Sequence, residues 1–206
     1  MKKIKILLAD DHALMRFGLR TLLSVEKDMT VVGEADSGDA AVSATRDLHP
    51  DVIISDLMMP GKPCAEAIRQ ILASAPDVRI LILTSFGTSQ DLVDAMSAGA
   101  TGVLLKDTAM ECVAEAVRAV CRGEQVIPDT VARLLEEAAE MPPLTERQLE
   151  ILHSVVRGLS DRDIAEQYGM THSGAKHHMR SIFAKLGAAN RTEAVAIALK
   201  HQLLKI

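Results

Sequence analysis

Five residues combine useful chemistry with a suggestive placement: Asp10, Asp11, Asp56, Thr84 and Lys106. Each follows or closes a short apolar run. Asp10 and Asp11 come after 4–9, Asp56 after 52–55, Thr84 after 80–83 and Lys106 after 103–105. If those runs are parallel strands of one sheet, three carboxylates, a hydroxyl and an ammonium meet on one rim, where open α/β sheets bind their ligands. Clustered carboxylates repel one another, so such a rim calls for a cation, and hard oxygen donors select Mg²⁺ or Mn²⁺. The expected chemistry is phosphoryl transfer onto a carboxylate. Asp56 is the expected nucleophile and becomes an aspartyl phosphate. The metal and Lys106 would neutralise the phosphoryl oxygens, and Thr84 would hydrogen-bond one of them. Any one of these residues alone is ordinary loop polarity; five at successive strand ends is the signal.

The intervening segments have the periodicity needed to hold such a rim. Val113, Ala116, Val117 and Val120 recur at the spacing of one helix face. The stretch 30–34 is more mixed in polarity and suits an edge strand. Five strands alternating with five helices predict a doubly wound parallel sheet. With one Tyr, three Phe and no Trp, its core must be aliphatic. Gly123 is placed to stop the last helix, and a helical connector is expected over about 130–140 before Pro142-Pro143 ends it. Residues 122–141 therefore read as a linker.

Beyond the prolines the signals are those of short helices. Thr145-Glu-Arg-Gln148 has the form of a capping box, Gly158 closes that helix, and Ser160-Asp-Arg-Asp163 repeats the device. Thr171 and Asn190 are placed to cap two more helices. In the helix after Thr171, Ala175, Met179, Ile182 and Leu186 form an apolar stripe, while Lys176, His177 and Arg180 project elsewhere, with Ser173 near the start. A basic face opposite a core stripe is what a DNA-recognition helix needs. The charge balance agrees: the chain carries −5 overall, yet basic residues outnumber acidic ones after Pro142. Cys64, Cys112 and Cys121 show no CxxC spacing, which points away from disulfides and zinc. The opening apolar run meets Asp10-Asp11 too soon for a signal peptide, so a cytoplasmic protein is expected, with no membrane partner.

These motifs resemble a known family. Ala9-Asp10-Asp11-His12, Asp56-Leu-Met-Met-Pro60, Leu83-Thr84 and Gly102-Val-Leu-Leu-Lys106 look like a response-regulator receiver domain over 1–121. Leu144-Thr-Glu-Arg147, Gly158-Leu-Ser160, Asp163-Ile-Ala165, Lys176-His-His178, Lys185-Leu186 and Arg191-Thr-Glu-Ala194 look like a LuxR-type helix-turn-helix over 142–206. Together they resemble a NarL/FixJ-type two-component response regulator. The resemblance implies a flavodoxin-like sheet of order 2-1-3-4-5. It also implies phosphorylation of Asp56 by a sensor histidine kinase, with the metal held by Asp10, Asp11 and Asp56. Lys176, His177 and Arg180 would face the major groove of double-stranded promoter half-sites. Thr171, Ser173 and Lys185 would touch phosphates, and the chain would be a homodimer when phosphorylated or DNA-bound. An enzyme acting on an external substrate is not expected: haloacid-dehalogenase-like phosphatases need a second acid where Met58 stands. Three places depart from the family pattern. Val103 replaces an aromatic, Pro63-Cys64 replaces Asp-Gly, and Gly174-Ala175 replaces Thr-Val. Ala194, Ile197 and Ala198 suit either a dimer seam or core packing.

Overall fold

The computed structural model describes residues 3–84, 89–107, 111–140, 144–201 and 203–204. The chain divides into two compact units, with the break between Arg133 and Leu134.

In the first unit five strands alternate with helices: β1 (Ile4–Ala9), α1 (Ala13–Ser24), β2 (Met29–Ala35), α2 (Gly38–Leu48), β3 (Val52–Ser55), α3 (Cys64–Ser74), β4 (Arg79–Thr84), α4 (Ser89–Ser97), β5 (Gly102–Leu105) and α5 (Glu111–Cys121). All pairings are parallel, in the order β2-β1-β3-β4-β5. The burial pattern agrees for β3 and β2. β3 is buried at every position, as a strand covered by helices on both faces must be, whereas β2 is buried only at Met29 and Ala35 and takes an edge. The core between sheet and helices is aliphatic, with Ile6, Leu8, Val52, Leu81, Val113 and Val117 nearly inaccessible. The face predicted for α5 is the buried one: Val113, Ala116, Val117 and Val120 are each at most 5% exposed.

Two features place the pocket residues. β3 stops at Ser55 opposite Ile82, so Thr84 lies two residues further along β4. The turns beyond the strands are tied back to the sheet: Asp10 N–H donates to Ala35 O, Asp56 N–H to Ala9 O and Lys106 N–H to Thr84 O. The loop after Pro60 is anchored as well. Gly61 adopts φ 81°, a conformation open to glycine, and the Lys62 N–H donates to Asp39 Oδ2 at the start of α2.

The segment after α5 differs from a plain linker. Gly123 takes φ 84° and turns the chain, and Val126 then forms a parallel bridge with Gly102 at the start of β5. α6 (Asp129–Glu140) follows, one residue earlier than the periodicity predicts. Its expected stop at Pro142-Pro143 lies outside the described residues.

The second unit contains α7 (Glu146–Val156), α8 (Asp161–Gln167), α9 (His172–Leu186) and α10 (Arg191–Lys200). Both predicted capping boxes form: Thr145 with Gln148, and Ser160 with Asp163. Thr171 and Asn190 cap α9 and α10. Ile151, Leu152, Ile164, Ala175, Ile182 and Ala194 build the core of this unit. Ala194 and Ala198 are buried in that core and Ile197 packs against it, so core packing accounts for them. Among the described residues no helix is long and apolar enough to cross a membrane.

Candidate functional site

The carboxyl ends of β1, β3 and β5 bring Asp10, Asp56 and Lys106 into contact. Lys106 Nζ lies 2.6 Å from Asp10 Oδ2 and 2.6 Å from Asp56 Oδ2, and all three side chains are less than a tenth exposed. Asp11 sits on the rim, about a third exposed, and His12 Nδ1 lies 2.8 Å from its Oδ1. One ligand atom from each of Asp10, Asp11, His12 and Asp56 falls within a 4.8 Å cluster.

Electrostatics explains the lysine. Two carboxylates at that separation repel by about 3–4 kcal/mol at an effective dielectric of about 20. An ammonium placed between them removes the repulsion. Burial pulls the Lys106 pKa down, but hydrogen bonds and charge from Asp10 and Asp56 outweigh it and hold the ammonium above its usual value. The donor set also fits a small hard cation. Mg–O distances of about 2.1 Å put opposite ligands about 4.2 Å apart, close to the span of this cluster.

Thr84 ends β4 and is 5% exposed. The structure thus puts all five predicted residues at the same edge of the sheet, with direct contact among Asp10, Asp56 and Lys106. Sequence reasoning missed the residues that hold them. Arg16 on α1 donates from Nη1 to the backbone O of Asp10 at 2.5 Å and from Nε to Glu34 at 3.0 Å, pinning the turn that carries Asp10 and Asp11. No spacing in the sequence marks it, because its partners are a backbone oxygen and a residue on β2. Ser55 Oγ donates to Asp56 O, and the Met58 N–H donates to Asp56 Oδ1. Cys64, the first residue of α3, is not a reactive thiol: burial pushes it up to about 12, beyond the partial relief that a hydrogen bond with Ser55 provides.

In the second unit, α9 buries Ala175, Met179, Ile182 and Leu186 and exposes His172, Ser173, Lys176, His177 and Arg180. Thr171 Oγ1 accepts from the Gly174 N–H at 3.1 Å, so the Thr171 hydroxyl is occupied as the cap of the helix. His178 is half-buried, its ring edge-on to that of His177. Lys185 is set apart from the exposed group. It is half-buried, and its Nζ donates to Gln148 Oε1 at 2.9 Å. Gln148 in turn donates to Ser181 Oγ, so α7 and α9 are joined through these three side chains.

A parallel sheet of order 2-1-3-4-5 with an Asp-Asp-Lys pocket at its carboxyl edge, followed by a capped four-helix unit, defines a class. The family profile of the response regulator receiver domain matches residues 6–118, and that of the bacterial regulatory proteins of the luxR family matches 142–198. The chain belongs to the response regulators, as a receiver domain followed by a LuxR-type helix-turn-helix. It is 37% identical over 207 residues to the response regulator protein VraR of Staphylococcus aureus, covering 98% of this chain and 99% of that one. It is equally similar, 37% over 216 residues, to the uncharacterized transcriptional regulatory protein YxjL of Bacillus subtilis, with 98% of each covered. Among solved structures, ChrA, the response regulator of a heme-sensing two-component system, shares 35% identity at a TM-score of 0.60, over 99% of this chain and 100% of that one. RcsB of Salmonella enterica serovar Typhimurium, solved on a promoter in the presence of phosphomimetic BeF₃⁻, shares 26% at a TM-score of 0.69, over 98% and 100%.

Proposed function

We propose that this response regulator is a DNA-binding transcription regulator switched by phosphorylation of Asp56. The observation that carries the reading is the Lys106 ammonium shared between Asp10 and Asp56 at the sheet edge. It supplies a fixed positive charge next to a carboxylate that is otherwise poised to act as a nucleophile. Asp56 Oδ attacks the phosphorus of a phosphohistidine on a sensor kinase; the P–O bond forms, the P–N bond breaks and the imidazole leaves with a proton. Lys106 then pairs with a phosphoryl oxygen, and the Thr84 hydroxyl donates to another. Asp10, Asp11 and Asp56 would hold Mg²⁺ or Mn²⁺, which supplies charge neutralisation for the transferring group. Met58 N–H and Ser55 hold Asp56 in place, and Arg16 fixes the turn bearing Asp10 and Asp11.

In the second domain, with its division at 142–206 after a 122–141 linker, the exposed face of α9 would enter the major groove. Lys176, His177 and Arg180 reach base edges, while Thr171 and Ser173 at the start of α9 and Lys185 near its end lie towards the phosphates. Paired promoter half-sites call for a homodimer. A cytoplasmic location follows from these partners.

The test is chemical. With acetyl phosphate, the chain should gain one phosphoryl group by intact mass only when a divalent cation is present, and Asp56→Asn should gain none. Phosphorylation should then tighten binding in a DNA shift assay. Undiminished labelling of Asp56→Asn would place the acceptor elsewhere.

A further inference from the structure

The stretch between α5 and α6 is attached to the sheet at one point. The Val103 N–H donates to Val126 O at 2.7 Å, and Gly102 and Val126 form an isolated parallel bridge. The Val126 side chain packs on the core that contains Leu104 and Val117. Gly102 makes this approach possible. A Cβ there would stand 2.8 Å from Val126 O, 3.2 Å from Val126 Cβ and 3.2 Å from Leu81 Cδ1. A backbone hydrogen bond, an apolar anchor and a residue without a side chain at the point of closest approach agree on one docked segment.

The strand that receives this segment also carries the pocket's cation. From Val103 to Lys106 is about 10 Å of extended backbone, and the Lys106 ammonium is held between Asp10 and Asp56. We propose that the segment 122–128 is a releasable strap, docked on β5 while Lys106 bridges the two carboxylates and let go when Asp56 is phosphorylated. This rests on the reading of Asp56 as the acceptor and adds the route by which its state leaves the pocket. Phosphorylation draws Lys106 off the carboxylate pair and onto the phosphoryl oxygens. The displacement runs along β5, whose inner edge is fixed by its ladder with β4. Its outer edge is attached to the strap only at Val126 among the described residues, through the Val103 N–H bond and the apolar anchor, and that attachment yields first. Release lengthens the free chain between the receiver and α6, which changes the effective concentration of the second domain at any site it shares with a partner.

Amide hydrogen exchange on the full chain tests this, read at Val103 and over 122–128 with Mg²⁺, with and without acetyl phosphate. Intact mass reports modification of Asp56 separately. Loss of one ordinary hydrogen bond should speed exchange of the Val103 amide about tenfold in the phosphorylated chain. Phosphorylated Asp56 with unchanged or slower exchange overturns the strap. No modification at all overturns the acceptor reading and the strap with it. Gly102→Ala pushes a methyl group into Val126 O, so 122–128 should exchange fast without the phosphodonor, and DNA affinity should no longer respond to it. Should that variant fail to fold, Val126→Ala keeps Gly102 and the backbone but removes the anchor, and should give the same faster exchange in the unphosphorylated chain. A folded variant of either kind that retains the full response of the parent in both exchange and DNA affinity overturns the proposal.

Discussion

Lys176 and Lys185 lie on one helix and look alike in sequence, but their surroundings separate them. Lys176 is exposed on the outer face of α9, whereas Lys185 is half-buried against Gln148. Lys176→Ala should cost about 1–3 kcal/mol on the preferred DNA site and relax base preference there. Lys185→Ala should lower the thermal midpoint of the second domain, because it removes one of the two donors to Gln148 Oε1 and leaves only the Thr145 N–H. Its effect on DNA should be similar for specific and scrambled sequences. Titrations of both variants at several salt concentrations, with a melting curve for each, check the contrast. If Lys185→Ala melts like the parent, the Gln148 contact carries no stability. The sequence reading set Lys176 on base edges and Lys185 on phosphates but did not anticipate the Gln148 contact, because Gln148 meets Lys185 only through the packing of α7 on α9. The pocket was more legible: Asp10, Asp56, Thr84 and Lys106 are placed by strand ends alone. Arg16 was not, since its partners are a backbone oxygen and a residue on the neighbouring strand.

Elements were read well where one periodicity ruled. The apolar runs of β1, β3 and β4 became inner strands and the mixed run 30–34 an edge, although the equally apolar run 103–105 took the other edge; the capping boxes fixed where α7 and α8 begin. The docked segment at Val126 escaped because the apolar pair Val126-Ile127, set between Gln125 and Pro128, is too short to carry a periodicity. Another contact between elements lends itself to a pH measurement. Arg118 on α5 forks onto Asp28, ahead of β2, at 2.8 and 2.9 Å, and also reaches Glu26. The hydrogen bonds from Arg118 lower Asp28 from 3.8 to about 2. The folded value lies below the unfolded one, so this contribution is fully present above about 3.8 and disappears as pH falls through about 2. Asp28→Asn should therefore melt below the parent at pH 6, and the gap should close between pH 4 and pH 2. A gap that stays constant over that range would mean the fork contributes nothing through its charge.

At the scale of the whole molecule, the two units have separate cores, one around Ile6, Val52 and Leu81 and one around Ile151, Ile164 and Ile182. Two transitions are expected in calorimetry rather than one. Mg²⁺ should raise only that of the receiver, by about 1.4 kcal/mol at about tenfold excess over its Kd, and Asp11→Ala should abolish the rise. A shift of both transitions together would mean that the units unfold as one. The sheet itself has two margins, β2 and β5. A bare strand margin offers its unpaired N–H and C=O groups to any other chain that can zip onto it. On the β5 side the Val103 N–H already has an acceptor from within the same polypeptide. Residues that connect two domains thus also deny neighbouring molecules a place to start an intermolecular sheet, a protection that matters most when the protein is abundant and newly made.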